Sequence, residues 1–148
     1  MWYDGSMMIL WTDGSAVPNP GPGGFAVIEV QNGVGKPVIL GREKDSSNIR
    51  MEGWALVAAM KRAGGEPCEI HTDSEFWVNV MTKWMKGWAE NGWKKKNGEI
   101  KNLDIVQKLY ELYEPGVVNL VWVKGHAGTE FNEMADEWAN KARQGAEL

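Results

Sequence analysis

The residues Met7-Met8-Ile9-Leu10-Trp11-Thr12-Asp13-Gly14-Ser15 decide how this chain reads. A short apolar run stopped by Asp-Gly-Ser is the pattern of a buried strand, and it leaves the carboxylate of Asp13 at the strand's end. Downstream, the Pro/Gly-rich residues 18–24 predict a turn region, and residues 24–31, rich in β-branched side chains, a second strand. Asn32-Gly33 is a strong hairpin signal, which makes residues 37–43 the third strand and the polar residues 44–48 a loop. An Ala-, Met- and Leu-rich helix follows over residues 49–63, ended by Gly64-Gly65. Residues 68–72 form a fourth strand, and Thr72-Asp73-Ser74-Glu75 has the spacing of a capping box, with Glu75 as the partner of Thr72. Gly87 and Gly92 divide the next helical region into two pieces before a basic loop at residues 94–98. A helix over residues 103–113, a fifth strand over 117–123 and a last helix over 130–143 complete the chain.

Three strands in a meander, then a helical crossover to a fourth, imply an α/β fold with a mixed sheet. With the first strand pointing up, Asp13 lies at its top, and the meander returns the chain so that Glu52 enters the first turn of a descending helix there. Asp73 ends the rising fourth strand. His126 and the start of the last helix, with Asp136, reach the same level if the fifth strand also rises. Sites of open α/β sheets lie at this end, beyond the carboxyl ends of parallel strands. Four crowded carboxylates repel one another, and an all-oxygen donor set favours Mg²⁺, with Mn²⁺ as a substitute. Two such ions would clamp a phosphate, one activating the attacking water and the other stabilising the leaving oxygen.

Composition agrees with a globular enzyme: 148 residues, 43% apolar, 24% charged and nine tryptophans. They imply one domain over residues 1–148, with residues 1–6 and 144–148 as flexible ends. Cys68 is the only cysteine, so neither an internal disulfide nor a zinc cluster is expected. There is no secretory signal and no apolar stretch long enough for a membrane helix, which points to the cytoplasm. No obligate protein partner is evident, so a monomer is expected. Residues 83–101 hold six lysines against Glu90 and Glu99, a balance of +4, leaving −8 for the rest of a chain whose net charge is −4. An acidic body with a basic arm suits a protein that holds cations and grips phosphate.

Four motifs in order resemble those of type 1 ribonuclease H of the bacterial kind: Trp11-Thr12-Asp13-Gly14-Ser15 with Asn19-Pro20-Gly21-Pro22-Gly23-Gly24; Asn48-Ile49-Arg50-Met51-Glu52; His71-Thr72-Asp73-Ser74; and Val123-Lys124-Gly125-His126-Ala127-Gly128 with Asn132-Glu133 and Asp136. The similarity runs in register over residues 8–142. It implies the ribonuclease H fold, a five-stranded mixed sheet of order 3-2-1-4-5 with helices on both faces. It also implies a metal-dependent endonuclease that cuts the RNA strand of RNA–DNA hybrids, leaving 5′-phosphate and 3′-hydroxyl ends. Asp13, Glu52, Asp73 and Asp136 correspond to the family's metal-site acids and His126 to its loop histidine, which assists proton transfer or product release. Asn19 and Asn48 match positions that approach the RNA and its 2′-hydroxyls. The tryptophans and lysines of residues 83–101 match a basic protrusion that holds the DNA strand. Trp88 and Lys94, Lys95 and Lys96 are the expected contacts, whereas Trp54, Trp77, Trp122 and Trp138 read as core.

Three departures mark this chain. Ile49 stands where the family has a second asparagine, Glu75 where a glutamine often follows, and Ala89-Glu90-Asn91 where the protrusion is usually basic. A related resolvase or integrase core, a reverse-transcriptase terminal domain and a hybrid-binding module without catalysis are the competing readings. The intact four acids and the Asn-Pro-Gly-Pro-Gly-Gly turn favour ribonuclease H.

Overall fold

A computed structural model describes residues 7–125 and 129–148. Five strands, β1 (Met8–Ala16), β2 (Gly21–Gln31), β3 (Val34–Ser46), β4 (Cys68–Thr72) and β5 (Val118–Trp122), form one sheet of order β3-β2-β1-β4-β5. The first three pair antiparallel, and β1, β4 and β5 run parallel. The helices are α1 (Asn48–Ala63), α2 (Glu75–Asn79), α3 (Met85–Glu90), α4 (Leu103–Leu112) and α5 (Glu130–Arg143).

The central strands are buried on both sides. Leu10 and Val27 join the large core with α1, α4 and Trp77, while their neighbours Trp11 and Ile28 join Ala135, Phe131 and Trp138 of α5 on the other face. Side chains alternate along a strand, so two covered faces produce the continuous apolar runs seen in the sequence. The Asn32-Gly33 hairpin forms as expected, both residues having positive φ and Gln31 pairing with Val34. Among the described residues no helix is long and apolar enough to cross a membrane.

Several boundaries differ from expectation. The first strand does not stop at Asp13: the ladder continues through Asp13↔Ala26, Gly14↔Phe25, Ser15↔Gly24 and Ala16↔Gly23. β3 likewise runs on to Ser46 through the polar residues read as a loop. Backbone ladder bonds are indifferent to side-chain polarity, so polarity alone marks such ends poorly. Thr72 is not the helix cap, because its backbone is committed to the sheet opposite Trp122. Ser74 caps α2 instead, its Oγ accepting from the Trp77 amide at 3.2 Å, while Thr72 Oγ1 accepts from the Ser74 amide at 3.1 Å. Glu75 is exposed and is not the capping partner of Thr72.

Gly87 lies within α3 and breaks nothing. The irregularity falls earlier, in a π-helical turn at Val80–Trp84, where the Thr82 hydroxyl donates to the Val78 carbonyl at 2.7 Å. Trp77 is fully buried and Trp54 and Trp138 are half-buried, but Trp122 is 45% exposed. It is the last residue of the edge strand β5, at the sheet's margin, so the expectation that it is core fails.

Candidate active site

Asp13, Glu52 and Asp73 each offer a carboxylate oxygen within 4.8 Å of the others. Three elements bring them together. Asp13 lies inside β1, where its Oδ1 accepts from the Gly14 amide at 2.8 Å. Asp73 immediately follows β4, the parallel neighbour of β1. Glu52 is in the first turns of α1, whose start is held by Ser47, with Oγ accepting from the Arg50 amide at 3.1 Å. Gly14 makes the approach possible. A Cβ there would overlap the backbone of Met51 and Glu52, so α1 rests directly on β1 only because this position carries no side chain.

The cluster's electrostatics follow from crowding. Asp13 is 6% exposed. Burial first, then the charge of Asp73 and to a smaller degree those of Asp136 and Glu52, push its carboxyl up to about 9, against a lowering hydrogen bond from Gly14. Burial and Asp73 push Glu52 up to about 7, opposed by a hydrogen bond from the Ser74 side chain. An acidic, oxygen-only pocket that holds protons so far above the ordinary carboxylate range is suited to a divalent cation of the Mg²⁺ type.

Asp136 stands outside the tight group of three but acts on Asp13 more strongly than Glu52 does. The early turns of the last helix were its expected place, and it is the seventh of the 14 residues of α5. Phe131 packs on Trp11 with ring centroids 5.8 Å apart, Asn140 meets Ser15, and the backbone near Arg143 lies on Gly24, the partner of Ser15. Contacts therefore advance along α5 and β1 in the same direction, and α5 brings Asp136 alongside Asp13 in mid-helix. His126 lies outside the described residues.

The two expected RNA-facing asparagines sit side by side. Asn19 Oδ1 accepts from the Asn48 amide at 3.1 Å, and Asn48 Oδ1 accepts from the Ala16 amide at 2.7 Å. Each side chain fixes the joint between the β1–β2 connection and α1, and both residues are exposed. Trp88 and Lys95 line a groove of about 220 Å³ together with Phe76, Trp84, Lys101 and Ile49. Lys94 and Lys96 are exposed but do not line it. Trp84, 41% exposed, is more open than Trp88, which packs against the core. Ile49 thus puts an apolar side chain into the groove where the family pattern has an asparagine.

Residue-by-residue reading missed Arg50, which sits in the second motif. Its guanidinium bonds both carboxylate oxygens of Glu43 and both of Asp104, and Asn102 Oδ1 at 3.2 Å. It joins β3 and α1 to the start of α4, and its partner Asn102 lines the groove. Its hydrogen bonds hold the Asp104 carboxyl below the usual range against a smaller opposing effect of burial. An arginine two residues before a carboxylate at a helix start was the available signal, but its partners lie 7 and 54 residues away.

Fold and site together define a carboxylate-cluster protein of the metal-dependent kind on a mixed α/β sheet. The RNase H family profile matches residues 5–144. A ribonuclease H of Francisella philomiragia is 45% identical over 140 residues, covering 91% of this chain and 90% of that one. One of Gluconobacter oxydans is 39% identical over 138 residues, 91% of each chain. Among solved structures, LC9-RNase H1, a type 1 RNase H with the type 2 active-site motif, superposes with a TM-score of 0.75 at 29% identity over 94% of this chain and 72% of that one. LC11-RNase H1, solved in complex with an RNA/DNA hybrid, shares the fold at a TM-score of 0.67 and 23% identity, over 93% of this chain and 96% of that one. The chain belongs to the RNase H family.

Proposed function

We propose that the protein is an endonuclease that hydrolyses the RNA strand of RNA–DNA hybrids, leaving 5′-phosphate and 3′-hydroxyl ends. The convergence of Asp13, Glu52 and Asp73 within 4.8 Å carries this reading, in a chain of the RNase H family. Asp13, Glu52, Asp73 and Asp136 hold the divalent cations, two Mg²⁺ by preference. Bound there, the ions supply neutralisation of the scissile phosphate and acidification of water at neutral pH. The amino groups of Asn19 and Asn48 donate to the RNA strand beside the cluster, where 2′-hydroxyls distinguish RNA from DNA. The groove of Phe76, Trp84, Trp88 and Lys95 receives the other strand, its rings offering stacking surface and its lysine a phosphate contact. Moving a proton to the departing 3′-oxygen falls to His126, on the strength of the family resemblance.

Cleavage of an RNA–DNA hybrid in Mg²⁺, beside single-stranded RNA, duplex RNA and duplex DNA, tests the proposal. Cutting confined to the RNA of the hybrid and abolished by EDTA is the expected result. Binding without cutting would replace it with a hybrid-binding module, and cutting of DNA junctions with a resolvase-like nuclease.

The protrusion has its own expectation. Changing Lys94, Lys95 and Lys96 together to Ala should raise KM roughly tenfold at low salt and reduce the steepness of its salt dependence by about two to three charges. Lys95→Ala alone should account for the larger share, because of these three lysines Lys95 is the one that lines the groove. A KM that stays at the wild-type value across several salt concentrations would remove the segment from the binding surface.

A further inference from the structure

Asp136 is carried by a helix whose lateral position is set one turn further on. Ser15, 9% exposed, donates its hydroxyl to Asn140 Oδ1 at 2.9 Å. Asn140 Nδ2 donates to the carbonyl of Asp136 at 3.1 Å. The amide orientation is fixed chemically: Arg143 Nη2 also points at Asn140 Oδ1, at 3.3 Å, and a guanidinium can only donate. Ser15 is two residues beyond Asp13 in β1, so the two side chains share a face. Asn140 is four residues beyond Asp136, so these two also share a face. The pairs Asp13/Asp136 and Ser15/Asn140 are therefore successive rungs between the same strand and the same helix. Behind the second rung, a Cβ at Gly24 would overlap the Arg143 amide nitrogen and lie 2.6 Å from the Ala139 carbonyl, so helix and sheet touch backbone to backbone.

We propose that Ser15 and Asn140 are positioning residues for the fourth carboxylate, a side-chain bolt that sets the register of α5 against β1 and so the reach of Asp136 toward the cation site. The inference rests on the reading of Asp136 as a metal-holding residue. The bolt touches neither cation nor substrate. It acts by denying α5 a slide or rotation that would carry Asp136 away from Asp13, which the apolar contacts of Phe131, Met134 and Trp138 resist less specifically, since apolar packing is non-directional.

The test measures Mn²⁺ binding to the intact protein by calorimetry, together with the Mg²⁺ concentration for half-maximal hybrid cleavage. The variants are Ser15→Ala, Asn140→Ala, the double variant, Ser15→Thr and Asp136→Asn. Ser15→Ala and Asn140→Ala should each weaken Mn²⁺ binding roughly three- to tenfold and raise the Mg²⁺ requirement to match. The double variant should be no worse than the worse single, and Ser15→Thr, which keeps the hydroxyl, should bind Mn²⁺ as the parent does. A lower unfolding temperature without metal, with Mn²⁺ affinity unchanged, would overturn the proposal in favour of simple packing. So would effects that add in full in the double variant. Should Asn140→Ala fail to fold, Ser15→Ala, which removes one oxygen, decides the matter alone. If Asp136→Asn leaves Mn²⁺ affinity and cleavage untouched, the role of Asp136 itself is wrong. If Asp136→Asn weakens binding and Ser15→Ala does not, only the bolt is wrong.

Discussion

Asp13→Asn should abolish Mg²⁺-dependent cleavage, by a factor on the order of a thousand or more, while making the metal-free protein more stable at pH 8. Both effects come from one carboxylate. The amide keeps an oxygen to accept from Gly14, so local geometry survives, but it brings no charge for a cation. Stability moves the other way because the folded state holds Asp13 in surroundings that disfavour its ionised form. Its folded pKa is raised to about 9, above its unfolded value, so the folded chain binds this proton more tightly. The corresponding stability is fully present below about pH 4 and is lost as pH rises toward 9. Glu52, raised to about 7, loses its share over a lower part of the same window. Metal-free wild type should therefore unfold at progressively lower temperature from pH 5 to pH 9, Mg²⁺ should reverse much of the loss, and Asp13→Asn should flatten the profile. Each proton contributes a slope of about 1.4 kcal/mol per pH unit where it is released. Thermal unfolding at several pH values, with Mg²⁺ and with EDTA, measures all of this. A metal-free wild type as stable at pH 9 as at pH 5 would mean that Asp13 is not buried as described.

Gly14→Ala should be among the most damaging single-methyl changes in the chain. The added carbon would meet the backbone of α1 at Met51 and Glu52, which cannot rotate aside as a side chain can. The helix must withdraw, at a cost of about 1 to 3 kcal/mol, and Glu52 withdraws with it. A displacement of about 1 Å at a reacting centre lowers turnover by roughly a hundredfold. Gly87→Ala provides the opposite case. Gly87 is in α3 with nothing near its missing Cβ, so alanine there should stabilise by about 1 kcal/mol through helix propensity alone. Thermal unfolding and hybrid cleavage at saturating Mg²⁺, run on both variants, would refute this account of the site if Gly14→Ala behaved like Gly87→Ala.

Much of this was legible from residue order. Apolar runs, the Asn32-Gly33 hairpin and the helical crossover yielded a three-strand meander in a mixed sheet and the end of it where Asp13, Glu52 and Asp73 meet, because those signals are local and topology then leaves few choices; the order of all five strands came from the family resemblance. The groove was half legible. The lysine run announced itself by composition, but Phe76 and Ile49 enter the groove from elements on either side of Asp73, and no local pattern marks them. The depth of the cluster, and with it the proton held on Asp13, depends on how closely α1 lies on Gly14. The direction of α5, the bolt between Ser15 and Asn140, and the ties of Arg50 to Glu43 and Asp104 join residues 125, 7 and 54 positions apart. Sequence by itself determined which groups this protein brings to one end of its sheet, since charge, periodicity and turn chemistry are written in neighbouring residues. Tertiary structure alone decided how near they come and what holds them there. Distances of a few ångströms between helix and strand are set by side chains, or their absence, on elements that meet only when the chain has packed.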